Sequence, residues 1–210
     1  MKKKKPSMTD REMIDQWLVV KLGRDGVHLL SGDVKLDADC AVGFVYVDSM
    51  CGITFNVEAW CIRQPHSLRA VSRPGDTKQR IMLRYDTFAG KAMRRLTPSE
   101  HAALKLPDVP DWLSIYYENT EPLRALRALP LLDPLRAPGY PDDIQCLLYD
   151  KTGKKDGEWV WARLFRQESD DIFFCRLLNE PMQDFGVHAG EEICVKVSER
   201  PQGLLSICFV

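Results

Sequence analysis

No run of apolar residues in this 210-residue chain approaches the about 20 needed to cross a bilayer as a helix. Charge of one sign is also missing: 29 basic residues against 30 acidic ones leave a net −1, so no global field draws the chain to nucleic acid or a membrane surface. The glycine loops that cradle phosphates (G-x-x-x-x-G-K-[ST], G-x-G-x-x-G) do not occur, and neither do H-E-x-x-H or G-x-S-x-G. No two cysteines stand in a C-x-x-C pair; the nearest approach to a zinc ligand pair is Cys61 with His66, so no metal and no cofactor are expected. Seven cysteines are an odd number, and most lie in apolar runs such as "IQCLLY" and "EICVKV". They read as reduced, buried thiols in a cytoplasmic protein. After "MKKKKP" comes polar "SMTDRE" where a signal peptide would need an apolar stretch, so residues 1–8 read as a disordered basic tail.

What is present is a globular composition, 45% hydrophobic, enough for a core without metal or disulfide. The pattern reads as α+β. An N-terminal mixed domain is expected over residues 9–129, with antiparallel strands and two or three short helices. Thr9 opens a short capped helix, and "WLVVKL", the turn "GRDG" and "VHLLS" read as a hairpin. "AVGFVYVDS" and "ITFNVEAWCIR" pair around "SMCG", and "QRIMLRYD" follows the turn "RPGD". Thr97, Pro98 and Glu100 form a capping-box start, "DWLSIYYEN" reads as a short strand, and "TEPLRALRAL" as a helix ended by Pro130. Four prolines and a glycine in residues 130–143 predict a connector without regular structure. Beyond it, residues 144–210 hold five strand candidates, a small antiparallel β domain: "IQCLLYD", "EWVWARLFRQ", "DIFFCRLL", "EEICVKVS" and "LLSICFV".

The hairpin of the second and third of these carries the candidate site. With Gln167–Asp170 as the loop, Arg166 faces Asp171, Phe165 faces Ile172, Arg163 faces Phe174 and Trp161 faces Arg176. Val160, Ala162, Leu164, Phe173, Cys175 and Leu177 then form a core face. Trp159, Trp161, Arg163 and Phe165 with Ile172, Phe174, Arg176 and Leu178 form the other, where guanidinium groups can lie on rings. This second face is either a binding platform or the underside of helices from the N-terminal domain. Asn179 and Glu180 follow it in "LLNEP", where closing a turn is their default role.

Other chemistry is thinner. Cys51 in "SMCGITF" is a candidate nucleophile with His28, His66, His101 or His188 as base, the basis of an alternative reading as a cysteine-dependent hydrolase. The residues after it read as a strand, which removes the helix N-terminus that would lower a thiol pKa. From Trp60 to Arg95 nine basic residues face only Asp76 and Asp86. This segment is a weaker alternative, an anion or nucleic-acid site, because Arg63 to Arg80 holds no aromatic residue. The adjacent acids Asp142–Asp143 and Asp170–Asp171 read as solvated turn carboxylates that point to opposite sides.

Residues 159–195 resemble a group of small bacterial domains of uncharacterised function, some of which occur among the immunity proteins of polymorphic toxin systems. The resemblance rests on Trp159 and Val160, the loop Gln167–Asp170, Leu177 with Asn179 and Pro181, and Gly190 with Glu191, Ile193 and Val195. It implies a protein that acts by binding another protein, such as a cognate toxin, rather than by catalysis. The site expected on that basis is Trp159, Trp161, Arg163, Arg176, Asn179 and Glu180.

Overall fold

The computed structural model describes residues 8–65, 67–77, 80–115, 117, 119–201 and 203–210. The expected tail falls, but for Met8, outside them. The fold is α+β, in two compact units, Met1–Glu118 and Asn119–Val210.

In the first unit, Thr9 caps helix α1 (Asp10–Met13) through a capping box with Glu12. Strand β1 (Trp17–Lys21) follows, then helix α2 (Gly23–Ser31), strands β2 (Cys40–Asp48), β3 (Gly52–Gln64), β4 (Ser67–Ser72) and β5 (Ile81–Arg84), helix α3 (Tyr85–Phe88), strand β6 (Met93–Arg95) and helix α4 (Pro98–Ala103). The sheet runs β4-β3-β2-β1-β6, with β5 on the same edge of β3 as β4. Its central strands are buried on both faces, which is why "AVGFVYV" and "ITFNV" read as nearly unbroken apolar runs. Gly43 has a packing reason: a Cβ there would come within 2.1 Å of the Asn56 carbonyl oxygen.

Two expectations fail in this unit. "GRDGVHLLS" is the helix α2, and no hairpin forms there. Val27 is buried and Leu30 packs on the same core three residues on, a helical spacing, and Gly32 ends the helix at φ 70 with its N–H on the His28 carbonyl. "DWLSIYYEN" opens as a 3-10 turn, Asp111–Ile115, where a strand is expected, and its Tyr116 and Glu118 lie outside the described residues. Leu113 and Tyr117 are both buried there, joined by a Tyr117 N–H to Leu113 carbonyl bond of 2.9 Å.

The second unit begins earlier than expected, at Asn119, and residues 130–143 are part of it rather than a linker. Helix α5 (Glu121–Ala128) leads into a 3-10 turn over Pro130–Leu135, a two-residue strand β7 (Arg136–Ala137) and strand β8 (Tyr140–Tyr149). Prolines 130 and 134 are accommodated because a 3-10 turn needs few backbone donors. Strands β9 (Glu158–Gln167), β10 (Ile172–Leu177), β11 (Glu192–Arg200) and β12 (Gly203–Phe209) continue the sheet, all antiparallel to their predecessors. An up-and-down run of five strands leaves the first and last pointing the same way, so closure has to be parallel. Ile207, Cys208 and Phe209 of β12 indeed pair in parallel with Leu147, Leu148 and Tyr149 of β8.

The result is a small barrel that removes two open sheet edges. Its core holds Ile144, Cys146, Leu148, Val160, Ala162, Leu164, Phe173, Cys175, Leu177, Ile193, Val195, Val197 and Cys208. Leu126 of α5 joins this core. Arg127 of α5 is almost fully buried and meets Asp142 through two bonds, Nε–Oδ1 2.7 Å and Nη2–Oδ2 2.6 Å. Arg136 donates to the carbonyls of Leu126 and Arg127 and so closes the C-terminal end of the helix.

Candidate interaction face

The two sides of β9 and β10 sort as the alternation predicts, but the pairing differs. Arg176 stands opposite Arg163, Cys175 opposite Leu164 and Phe174 opposite Arg166. The hairpin loop is Glu168–Asp171, one residue further along than expected, with the Glu168 N–H on the Ile172 carbonyl at 2.9 Å. A β-bulge between Phe174 and Cys175 in the register inserts Phe165 as the extra residue of β9. The bulge carries Arg166 onto the aromatic side, where its guanidinium carbon lies 3.9 Å from the centroid of the Phe174 ring. Arg163 instead makes a two-bond ion pair with Asp143, Nε–Oδ1 2.7 Å and Nη2–Oδ2 3.0 Å.

Asp142 and Asp143 do point to opposite sides, as adjacent strand residues must. They are not solvated turn carboxylates: they lie within β8, and each holds an arginine. Asp171, at the hairpin, pairs with Lys196 at 3.3 Å and accepts from Ser169.

Trp159 and Trp161 are 49% and 39% exposed, so this face is open to solvent. It also extends beyond the hairpin. Trp159 sits beside Leu147 of β8, Leu147 beside Ile207 of β12, and Ile207 beside Lys196 of β11. Tyr149 and Phe209, each 46% exposed, pair edge to face in the next row with ring centroids 6.0 Å apart. Four half-exposed aromatic rings therefore share one side of the barrel. Tyr149 and Phe209 escape a reading of the sequence because the parallel closure that seats them beside the tryptophans has no local signal. Alternation in "IQCLLYD" does place Leu147 and Tyr149 on one side.

Asn179 and Glu180 border the face, and their side chains close turns. The Asn179 Oδ1 accepts the Trp161 N–H at 2.8 Å and so prolongs the β9 ladder past the end of β10. Glu180 accepts from His188 Nδ1 at 2.7 Å and from the Ala189 N–H at 2.9 Å. These bonds favour the charged forms, lowering the Glu180 pKa through His188 first and raising that of His188 through Glu180. The "LLNEP" pattern is thus turn grammar that fixes the loop running from β10 to β11.

Elsewhere the chemistry does not assemble. Cys51 lies at the tip of the β2–β3 hairpin, its N–H on Asp48 Oδ1 at 3.0 Å. Among the described residues no hydrogen bond joins it to an imidazole: His28 contacts the Leu36 carbonyl, His101 the Pro107 carbonyl and His188 Glu180. His66, and with it the Cys61–His66 pair, lies outside the described residues, and no group of three metal-ligating side chains occurs among those described.

The basic segment is largely spent inside its own unit. Arg63 pairs with Asp39 at 2.7 Å, Arg94 with Glu100 at 2.6 Å, Arg84 bonds Thr54 at 2.9 Å and Arg73 the Leu104 carbonyl. Arg80 lies 4.7 Å above the Trp112 ring, and Lys78 is outside the described residues.

No family model, curated protein or solved structure matches the chain.

Proposed function

We propose that the protein acts by binding another protein through the outer face of its C-terminal barrel, in the manner of the immunity-type bacterial proteins its sequence resembles, and that it does so in the cytoplasm. The observation that carries this reading is the half exposure of Trp159 and Trp161 beside Tyr149 and Phe209. A monomeric surface seldom leaves several large rings together in water unless a partner covers them. Tryptophan, tyrosine and arginine are also the residue types on which interface energy concentrates. Arg163 and Arg176 lie next to the rings and supply polar contacts at the border of the patch. All of these residues sit on strands of a closed barrel, so the face is formed before a partner arrives and little ordering entropy is lost on docking.

Affinity capture from the source cells with the wild-type chain, a Trp159→Ala/Trp161→Ala variant and an Arg24→Ala control tests this. The reading expects a single partner enriched by wild type and control and reduced at least tenfold by the double variant. Equal capture by all three would contradict it.

A further inference from the structure

The same face continues into a depression of about 340 Å³ lined by Lys196, Ser198, Glu199, Arg200, Ile207 and Phe209. Alternation along β11 puts Lys196, Ser198 and Arg200 on the outer side, and Glu199 on the other. The polar lining of the depression carries two cations, Lys196 and Arg200, against the one carboxylate of Glu199, and its other wall is the apolar pair Ile207 and Phe209. Lys196 shares its charge with Asp171 at 3.3 Å, while Arg200 is exposed and makes no ion pair among the described residues. A lining with this excess of cations beside an apolar wall complements a carboxylate that stands next to apolar side chains.

The spacing makes this more specific. Lys196, Ile207, Leu147 and Trp159 form one row across four neighbouring strands. Three steps of about 4.8 Å make the row about 14 Å long. An extended peptide advances about 3.3 Å per residue, so four residues cover about 13 Å, and residues two apart point to the same side.

We propose, resting on the protein-binding reading above, that the partner is recognised through an extended segment with an acidic residue followed by apolar residues two and four positions later. The acid lies in the depression at Arg200 and Lys196. The first apolar residue packs on Ile207 beside the Phe209 ring, and the second packs on Trp159.

Selection of a phage-displayed library of random 12-residue peptides on the full-length chain tests the proposal, with the enriched peptides then measured against Arg200→Gln and Trp159→Ala. Both substitutions are at exposed positions, and a single cooperative melt well above the assay temperature establishes for each variant that the fold is intact. The expected result is an enriched acid-x-apolar-x-apolar pattern whose affinity falls at least tenfold with Arg200→Gln, with Trp159→Ala, and with acid-to-amide replacement in the peptide. Peptides that need Trp159 but bind Arg200→Gln as tightly as wild type, or that carry a basic residue in place of the acid, would overturn the acidic-segment proposal and leave the protein-binding face standing. Absence of any enriched peptide, or binding indifferent to Trp159→Ala, would count against both.

Discussion

Arg163 on β9 and Arg176 on β10 stand directly opposite one another, between Asp143 on β8 and Glu192 on β11. Four charges thus run in the order minus, plus, plus, minus across the outer side of the barrel. Two cations facing each other on adjacent strands are destabilising alone, and the two-bond grip of Asp143 on Arg163 offsets this. Asp143→Asn should cost about 1–3 kcal/mol. Adding Arg163→Met should then cost little more, because the repulsion disappears with the pair. Urea denaturation of the two single variants and the double variant measures the coupling; strict additivity would show that the row is not a unit.

The tryptophans of the face and the aromatic residues of the core should respond differently to truncation. Phe173 is fully buried, and Phe173→Ala should destabilise by about 3–5 kcal/mol. Trp159→Ala leaves half-exposed surface and no sealed cavity, so its cost should stay below about 2 kcal/mol. Thermal melts of both variants check the contrast, and a Trp159→Ala loss as large as that of Phe173→Ala would mean that the ring is structural.

Thiol reactivity separates the seven cysteines. Burial raises the pKa of Cys40, Cys146 and Cys175, and pushes Cys61 and Cys208 up to about 11. Cys194 is exposed and Cys51 partly so. Mass spectrometry after brief iodoacetamide treatment of the native protein at pH 8 should find modification at Cys51 and Cys194, with the other five reacting only after denaturation. Fast alkylation of Cys146 or Cys175 would contradict the sealed barrel.

The Glu180–His188 contact should leave a pH signature. His188 titrates above its ordinary value of 6.5, so its contribution is complete below that value and is lost as pH rises through the raised pKa. Glu180 titrates below its ordinary 4.5, so its contribution is complete above that value and is lost as pH falls through the lowered pKa. The stability difference between wild type and His188→Gln should therefore be largest between about pH 4.5 and 6.5 and should shrink by pH 9. A difference that grows with alkalinity would reverse the assignment.

Much of the fold is legible in the sequence where side-chain period and turn chemistry agree. Thr97, Pro98 and Glu100 start α4 as their capping pattern predicts, and the five C-terminal strands fall where alternating runs place them. Legibility fails where glycine serves a helix end: Gly23 and Gly26 read as a turn, yet Val27 and Leu30 pack at helical spacing and Gly32 is the stop. It fails again at residues 130–143, where proline density reads as a linker although a 3-10 turn and the start of β8 absorb the prolines. At the candidate site, the division of β9 and β10 into a core side and an aromatic side follows from period two alone. The Arg163–Arg176 opposition depends on a bulge at Phe165, and the addition of Tyr149 and Phe209 depends on barrel closure. Both are long-range backbone properties that local residue patterns do not encode.

The central claim, that the Trp159–Trp161 face is where a partner docks, is tested most directly by hydroxyl-radical footprinting of the purified chain with and without its captured partner. Free protein should be oxidised at Trp159, Trp161, Tyr149 and Phe209, and partner binding should reduce oxidation at these four at least fivefold while exposed Met50 on the β2–β3 hairpin stays reactive. Equal oxidation of Trp159 and Trp161 in the free and bound states would contradict the account.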